Sequence, residues 1–416
     1  MAKWYEEAIF YHIYPLGLLG APKTHTEDGV THRLRELDDW VRHMKECGFT
    51  ATYIGPLFES TSHGYDTRDY KQVDSRLGDN EDFKHFVKLC HENGIKVVVD
   101  GVFNHTGREF FAFKDIQEKK WDSPYKDWYK GVNFGWQSPL GDPFGYEAWQ
   151  GHFELPCLNL YNQQVKDYLF DVIRFWVSEF DVDGIRLDAA DVLDFDFMRA
   201  LRRTAAEVKE DFWLMGEVIH GDYSRWVNGE TLHSVTNYAL HKALYSGHND
   251  HNYFEIAHTV KYLQNMGNLD LYNFVDNHDV TRVASILTNE KHLPLIYALM
   301  FGMPGIPCVY YGSEWGAKGE KSQGDPALRA CFDEPQTNGL TEWIAKLAEA
   351  KKHSNALNYG VFRSVVLTNR QCIFERAVDG ERVLVAINAE EQPYTAHFDA
   401  GCGRAVDLIT GQEHDF

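Results

Sequence analysis

The chain is short of several things, and each shortage narrows the field. It has no apolar run of about 18 residues, so no membrane-spanning helix is expected. Its first residues, Met1-Ala2-Lys3-Trp4-Tyr5-Glu6-Glu7, contain no apolar signal-peptide core. Cysteine is sparse: Cys47, Cys90, Cys157, Cys308, Cys331, Cys372 and Cys402 are odd in number and widely spaced, with no C-x-x-C. That pattern predicts free thiols in a reducing compartment, not a disulfide or zinc framework. Positive charge is also scarce, with 41 Lys and Arg against 62 Asp and Glu, a formal charge of −21. Such a surface repels phosphate backbones, so nucleic acid is not expected as a partner and neutral substrates are favoured over anionic ones. The glycines around Gly312 lack the G-K-[ST] ending of a phosphate loop. No internal repeat or low-complexity linker is present. A cytoplasmic protein with no membrane partner is the expectation.

What is present points to an α/β protein. At 416 residues the chain exceeds one ordinary compact unit unless that unit is a barrel. Strand-like and helix-like runs alternate eight times. The expected strands are Ile9 to Tyr14, Ala51 to Ile54, Lys96 to Val102, Gly184 to Leu187, Phe212 to Met215, Ser234 to Thr236, Leu271 to Val275 and Ile306 to Tyr310. Amphipathic helices separate them, among them Leu34 to Cys47 and Val165 to Phe180, with Gly48 and Gly94 as stop signals. This is the pattern of a parallel (β/α)8 TIM barrel. Between Thr106 and Leu158 periodicity fails, and the stretch is rich in Gly, Pro, Trp and Tyr; it reads as an inserted lobe. Past Asn355 short strands follow one another, at Val361 to Leu367, Gln371 to Arg376, Arg382 to Asn388 and Tyr394 to Phe398. The expected organisation is therefore a barrel over 1–105 and 159–354, a lobe over 106–158, and a small C-terminal all-β domain over 355–416.

Four apolar runs end abruptly in reactive groups. They are Asp100-Gly101-Val102-Phe103-Asn104-His105, Gly184-Ile185-Arg186-Leu187-Asp188, Gly216-Glu217-Val218 and Phe274-Val275-Asp276-Asn277-His278-Asp279. A carboxylate after a strand is ordinarily a turn former or a helix cap. Four such runs in one barrel-patterned chain instead predict one site, because catalytic groups of barrels gather at the C-terminal strand ends. Asp188 and Glu217 would sit on neighbouring strands, roughly 4.8 Å apart. Carboxyl groups about 5–5.5 Å apart suit a retaining glycosidase.

The motif order and spacing, from Tyr11 to about Glu314, resemble the α-amylase family of glycoside hydrolases, family 13. Gly64-Tyr65-Asp66-Thr67-Arg68-Asp69-Tyr70, Leu155-Pro156-Cys157-Leu158-Asn159 and Tyr310-Tyr311-Gly312-Ser313-Glu314 add to the likeness. The resemblance implies that Asp188 is the nucleophile, Glu217 the general acid/base and Asp279 the third carboxylate, which holds sugar hydroxyls. It implies that Arg186 orients the nucleophile, that Tyr65 stacks on the sugar, and that His105 and His278 bind its hydroxyls. Asp100 is expected to hydrogen-bond within the site. Trp149 is a candidate sugar platform, with lobe core the alternative for it and the reading for Trp136. His241, His248, His251 and His258, spaced by seven, three and seven, do not suggest a zinc site and read as helix or loop surface.

The chain departs from many α-amylases after the nucleophile, where Asp188-Ala189-Ala190 continues with Asp191-Val192 and not with a Lys-His pair tied to calcium. Asn104 alone offers little to an ion that takes six to eight oxygen ligands. No metal or cofactor is therefore expected to be required, and a structural calcium is not favoured. Ala189 resembles the α-1,4-acting members. Glu217-Val218-Ile219-His220 resembles cyclomaltodextrinases and neopullulanases, without a counterpart of their N-terminal domain. The expected function is retaining hydrolysis of α-1,4 bonds in malto-oligosaccharides. A 4-α-glucanotransferase on the same substrates is the alternative, and a catalytically silent carbohydrate-binding protein the weaker one.

Overall fold

The computed structural model describes residues 2–25 and 29–416. Met1, in the N-terminal stretch read above, and residues 26–28, within the expected barrel segment, lie outside them. Eight parallel strands form the barrel: β1 Phe10–Ile13, β2 Ala51–Ile54, β3 Lys96–Gly101, β4 Gly184–Leu187, β5 Trp213–Gly216, β6 Ser234–Val235, β7 Tyr272–Phe274 and β8 Ile306–Tyr310. The sheet runs β6-β5-β4-β3-β2-β1-β8-β7. A single bridge between Thr236 and Tyr272 joins its two edges. The amide of Asn237 also donates to the Tyr272 carbonyl at 2.9 Å.

Almost every strand residue is buried on both faces, since the barrel interior lies on one side and helices on the other. This is why Val97, Val98 and Val99 can follow one another. The interior is filled by an apolar plug that includes Phe10, Tyr53, Val98, Trp213, Met215, Phe274 and Cys308. The helices bury their other stripes against the barrel wall. Asn80–Glu92 starts at a capping box, in which Asp79 accepts from the Asp82 amide and Asp82 accepts from the Asp79 amide. Its chain reverses at Gly94, whose φ of +71° favours glycine.

The segment after β3 leaves the barrel and returns at the helix Gln163–Phe180. It holds a helix, Phe111–Lys119, and a hairpin, Ala148–Trp149 with His152–Pro156, packed on aromatic residues such as Phe113, Tyr129, Phe144 and Tyr146. The C-terminal part forms an antiparallel sheet of β9 Val361–Leu367, β10 Gln371–Val378 and β11 Glu381–Asn388. It rests on the helix Leu293–Gly302, where a Cβ on Gly302 would lie 2.9 Å from the Phe374 ring. Tyr394 to Phe398 is not a strand; the tail instead pairs Arg404–Val406 with Glu413–Asp415. The alternation there suits a strand, but in this stretch only Ala396 and Phe398 are partly covered, with Ala400 buried just beyond it. His241 and His248 are buried, contrary to the surface expectation: His241 Nδ1 lies 3.0 Å from the Val275 carbonyl, and His248 Nδ1 lies 3.2 Å from the Tyr253 hydroxyl. His251 and His258 are exposed.

Candidate active site

The register of the barrel determines which side chains meet. Asp100 on β3 is level with Arg186 on β4, and Arg186 with Met215 on β5. Side chains two apart share a face. Arg186 and Asp188 therefore both point into the upper barrel, and Glu217 follows just after β5. The buried guanidinium of Arg186 is the hub. Its Nη1 donates to Asp100 Oδ1 and to Asp188 Oδ1, both at 2.8 Å, and its Nη2 lies 3.0 Å from Glu217 Oε2. One cation thus serves three carboxyl groups.

Two backbone features hold this cluster. Ala189 has a φ of +48°, and its amide donates to Glu217 Oε2 at 3.0 Å. A left-handed alanine costs roughly 1–2 kcal/mol, which the surrounding contacts must offset. Gly55, after β2, passes so close that a Cβ there would lie 2.7 Å from the Asp100 Cβ. Asp100 Oδ2 accepts from the Tyr53 hydroxyl at 2.5 Å. Burial, then the charges of Glu217 and Asp100, push the Asp188 carboxyl well above its ordinary range, against the pull of Arg186.

The opposite wall is built after β7. Burial opposes ionisation of Asp279, but His278, Arg329 and Arg186 outweigh it and hold that carboxyl far below its ordinary value. Arg329 Nη2 donates to Asp279 Oδ1 at 2.9 Å, and His278 Nε2 lies 3.1 Å from Asp279 Oδ2. The Tyr65 hydroxyl is 2.5 Å from the same His278 nitrogen, and its ring stacks on the imidazole at 5.8 Å. The Tyr65 hydroxyl also reaches toward Asp100 Oδ2 at 3.5 Å, which joins the two walls. His105 stacks on Trp149 with ring centres 6.2 Å apart, so the hairpin of the inserted segment forms one side of the cleft. Burial, with the nearby His63, takes His105 down to about 3, so its imidazole is neutral. Trp136 is half-exposed and covers Gly145.

The structure thus brings Asp100, Arg186, Asp188, Glu217, Tyr65, His278 and Asp279 into one connected cluster, with His105 and Trp149 beside it. Sequence reasoning missed Arg329, His12, Tyr14 and Tyr53. His12 meets the His278 ring edge-on at 5.1 Å, and Tyr14 stacks on it at 5.6 Å. Arg329 lies over the Tyr14 ring at 4.6 Å. His12 carried a usable signal, an imidazole at an inward position of a buried strand. Arg329, in a loop far along the chain, carried none. His12 Nε2, His105 Nε2 and His278 Nδ1 are buried and have no hydrogen-bond partner among the described residues. Groups of this kind suit a ligand rich in hydroxyls.

The residues do not suit calcium. Asn104 Nδ2 lies 3.2 Å from His105 Nδ1, and no group of three acidic or histidine ligands gathers there among the described residues. The fully buried carboxylate of the inserted segment, Asp142, is already held by Arg108, Gln117, Ser138 and Tyr146. Among the described residues one trio of possible metal ligands comes together, His32, Asp79 and Asp82. There Asp82 already accepts from Arg35 Nε at 2.7 Å and from the Asp79 amide.

Comparison with known proteins fixes the family. The model described as "Alpha amylase, catalytic domain" matches residues 26–358. The chain belongs to the α-amylase family. It is thereby a glycoside hydrolase, related to enzymes that hydrolyse maltodextrins and cyclodextrins. A cyclomaltodextrinase of Geobacillus thermopakistaniensis is 31% identical, over 98% of this chain and 74% of that one. Neopullulanase 2 of Thermoactinomyces vulgaris is 31% identical, over 99% and 74%. Among solved structures of this α-amylase family fold, Ttha1563 of Thermus thermophilus superposes with a TM-score of 0.84 at 30% identity, covering 99% of this chain and 95% of that one. The cyclic α-maltosyl-(1→6)-maltose hydrolase of Arthrobacter globiformis, in complex with that cyclic sugar, gives 0.82 at 27% identity, over 92% and 91%.

Proposed function

We propose that the protein hydrolyses α-1,4-glucosidic bonds of malto-oligosaccharides, linear or cyclic, with retention of anomeric configuration. The observation that carries this is the sharing of Arg186 by Asp188 and Glu217 at adjacent strand ends, facing an Asp279 that is held ionised. Asp188 attacks the anomeric carbon while Glu217, as general acid, gives a proton to the leaving oxygen as the glycosidic bond breaks. A β-linked glycosyl ester forms on Asp188. Glu217, now ionised, takes a proton from water, whose oxygen displaces Asp188 and releases an α-anomer. Arg186 opposes protonation of Asp188 and orients its attacking oxygen.

Asp279 and Arg329 form a fixed polar wall for sugar hydroxyls, with His105 as a neutral partner, His278 beside them, and Tyr65 and Trp149 as apolar platforms. The proposed chemistry is carried by the carboxyl groups and assigns no step to a metal. A cytoplasmic setting accords with seven free thiols. A relative 30% identical over 85% of this chain is an intracellular maltogenic amylase of Bacillus subtilis. The test is a product time course on maltoheptaose, β-cyclodextrin and pullulan. Short maltodextrins support hydrolysis, products longer than the substrate reassign the protein as a transferase, and no turnover of any of them overturns the substrate class.

A further inference from the structure

A cavity of about 220 Å³ lies at the other end of the barrel, beside the N-terminal ends of β7 and β8 and under the C-terminal sheet. Its walls are mixed, with an apolar part formed by Leu240, Val260, Leu263, Leu271, Met303 and Phe362. Three polar groups on its lining are unspent. Arg376 is 1% exposed; its Nε donates to the Gly360 carbonyl and its Nη1 to the Gly302 carbonyl, each at 2.9 Å, while its Nη2 has no hydrogen-bond partner among the described residues. Asn358 is 8% exposed, and its Oδ1 likewise has no partner there, although its Nδ2 donates to the Lys351 carbonyl. Asp270 lines the same cavity with neither a hydrogen bond nor an ion pair to the described residues.

Charge makes this arrangement unusual. Lys351 is fully buried behind the cavity, and its Nζ donates only to the Leu357 carbonyl, at 3.0 Å. Among the described residues neither Lys351 nor Arg376 has a carboxylate within ion-pair distance, and buried charges ordinarily are paired. Burial, then Arg376, takes Lys351 down to about 7, with Asp270 opposing from a distance. The cavity floor therefore lacks an anion. The rim carries Asp270, with Glu6 near it, so the anionic group belongs at the Arg376 end of the cavity and not at the rim.

We propose that this cavity is a binding site for a small hydroxylated organic anion, its charged group on Arg376 Nη2 and its hydroxyls on Asn358 Oδ1 and Asp270. A phosphorylated sugar and a sugar acid share that chemistry. The apolar part of the wall takes the carbon skeleton, and the charge fills the place where the two buried cations lack a counter-ion. The site is separate from the catalytic cleft and does not depend on the reaction proposed there.

The test is calorimetric titration of the full chain with glucose 6-phosphate, gluconate and inorganic phosphate, against sodium chloride at equal ionic strength. Saturable binding of either or both organic anions, with inorganic phosphate weaker, is expected. Which of the two binds distinguishes phosphate from carboxylate recognition. Arg376 also ties two carbonyls and its removal could unfold the chain, so the decisive variant is Asn268→Glu, which adds a carboxylate to the exposed part of the wall. It should weaken binding by roughly tenfold or more through like-charge repulsion, with unaltered unfolding temperature and glucan turnover. No saturable binding of the organic anions, equal binding of phosphate and chloride only, or indifference to Asn268→Glu would overturn the proposal. None of these outcomes bears on the cleft chemistry.

Discussion

Replacing Glu217 by Gln removes a proton-transfer group and little else. In the structure Glu217 Oε2 accepts from the Ala189 amide at 3.0 Å and lies 3.0 Å from Arg186 Nη2. The carbonyl of a glutamine keeps both partners. Weakening the charge-assisted contact costs about 1 kcal/mol, and loss of one carboxylate from a cluster of three around a single cation offsets it. The unfolding temperature should therefore shift by only a few degrees. Catalysis should suffer far more. General acid assistance contributes roughly 10²–10⁴-fold, or about 3–5 kcal/mol, so kcat/KM on maltotriose should fall by that factor. α-Glucosyl fluoride supplies a control, because departing fluoride needs no protonation. Its first step should lose little, and added azide should intercept the β-linked glycosyl-enzyme with inversion, as α-glucosyl azide. Steady-state rates on both substrates, with the azide product identified by NMR, measure this directly. Equal losses on maltotriose and the fluoride, or normal maltotriose hydrolysis, would refute the role given to Glu217.

Three further outcomes are expected. Arg329→Met removes a main cation beside Asp279, so the Asp279 pKa rises and the acid limb of the kcat/KM profile should move to higher pH, with a loss of roughly ten- to a hundredfold at neutrality; an unmoved acid limb would contradict the pairing. Asp183 anchors the N-terminal ends of β3 and β4: burial opposes its charge, but His91 at 2.7 Å, the Val97 amide at 2.9 Å and Lys209 at 2.9 Å outweigh it and depress its pKa to about 2. A depressed folded value stabilises the protein above the unfolded pKa near 4 and is lost as pH falls toward 2, so Asp183→Asn should cost about 2–3 kcal/mol in denaturant unfolding at pH 7 and almost nothing at pH 2. Dialysis against a chelator should leave both turnover and unfolding temperature unchanged; a fall of several degrees, restored by calcium, would expose a metal site.

The barrel could be read from the sequence because its strands are buried on both faces. Ala51–Ile54, Gly184–Leu187 and Ile306–Tyr310 appear as predicted, and the others differ by a residue or two at their ends, where hydrogen bonding and not hydrophobicity decides. The tail could not be read in the same way. Tyr394 to Phe398 alternates like a strand but lacks a partner edge, and pairing is a long-range property. In the cleft, residues adjacent to strand ends were visible because the chain itself presents them there. Arg329 was not, because its place beside Asp279 depends on the path of a loop 50 residues later in the sequence. The buried histidines His241 and His248 were misplaced for a related reason: polar side chains with carbonyl or hydroxyl partners can enter a core that composition alone would deny them.

The most direct test of the central claim is the configuration of the first product. Proton NMR during the first minutes of maltotriose or β-cyclodextrin hydrolysis, before mutarotation, resolves the new reducing end. The proposed double displacement through Asp188 predicts the α-anomer first, with β appearing only at the rate of mutarotation. A β-anomer released first would mean direct attack by water and would contradict the assignment of Asp188 as nucleophile.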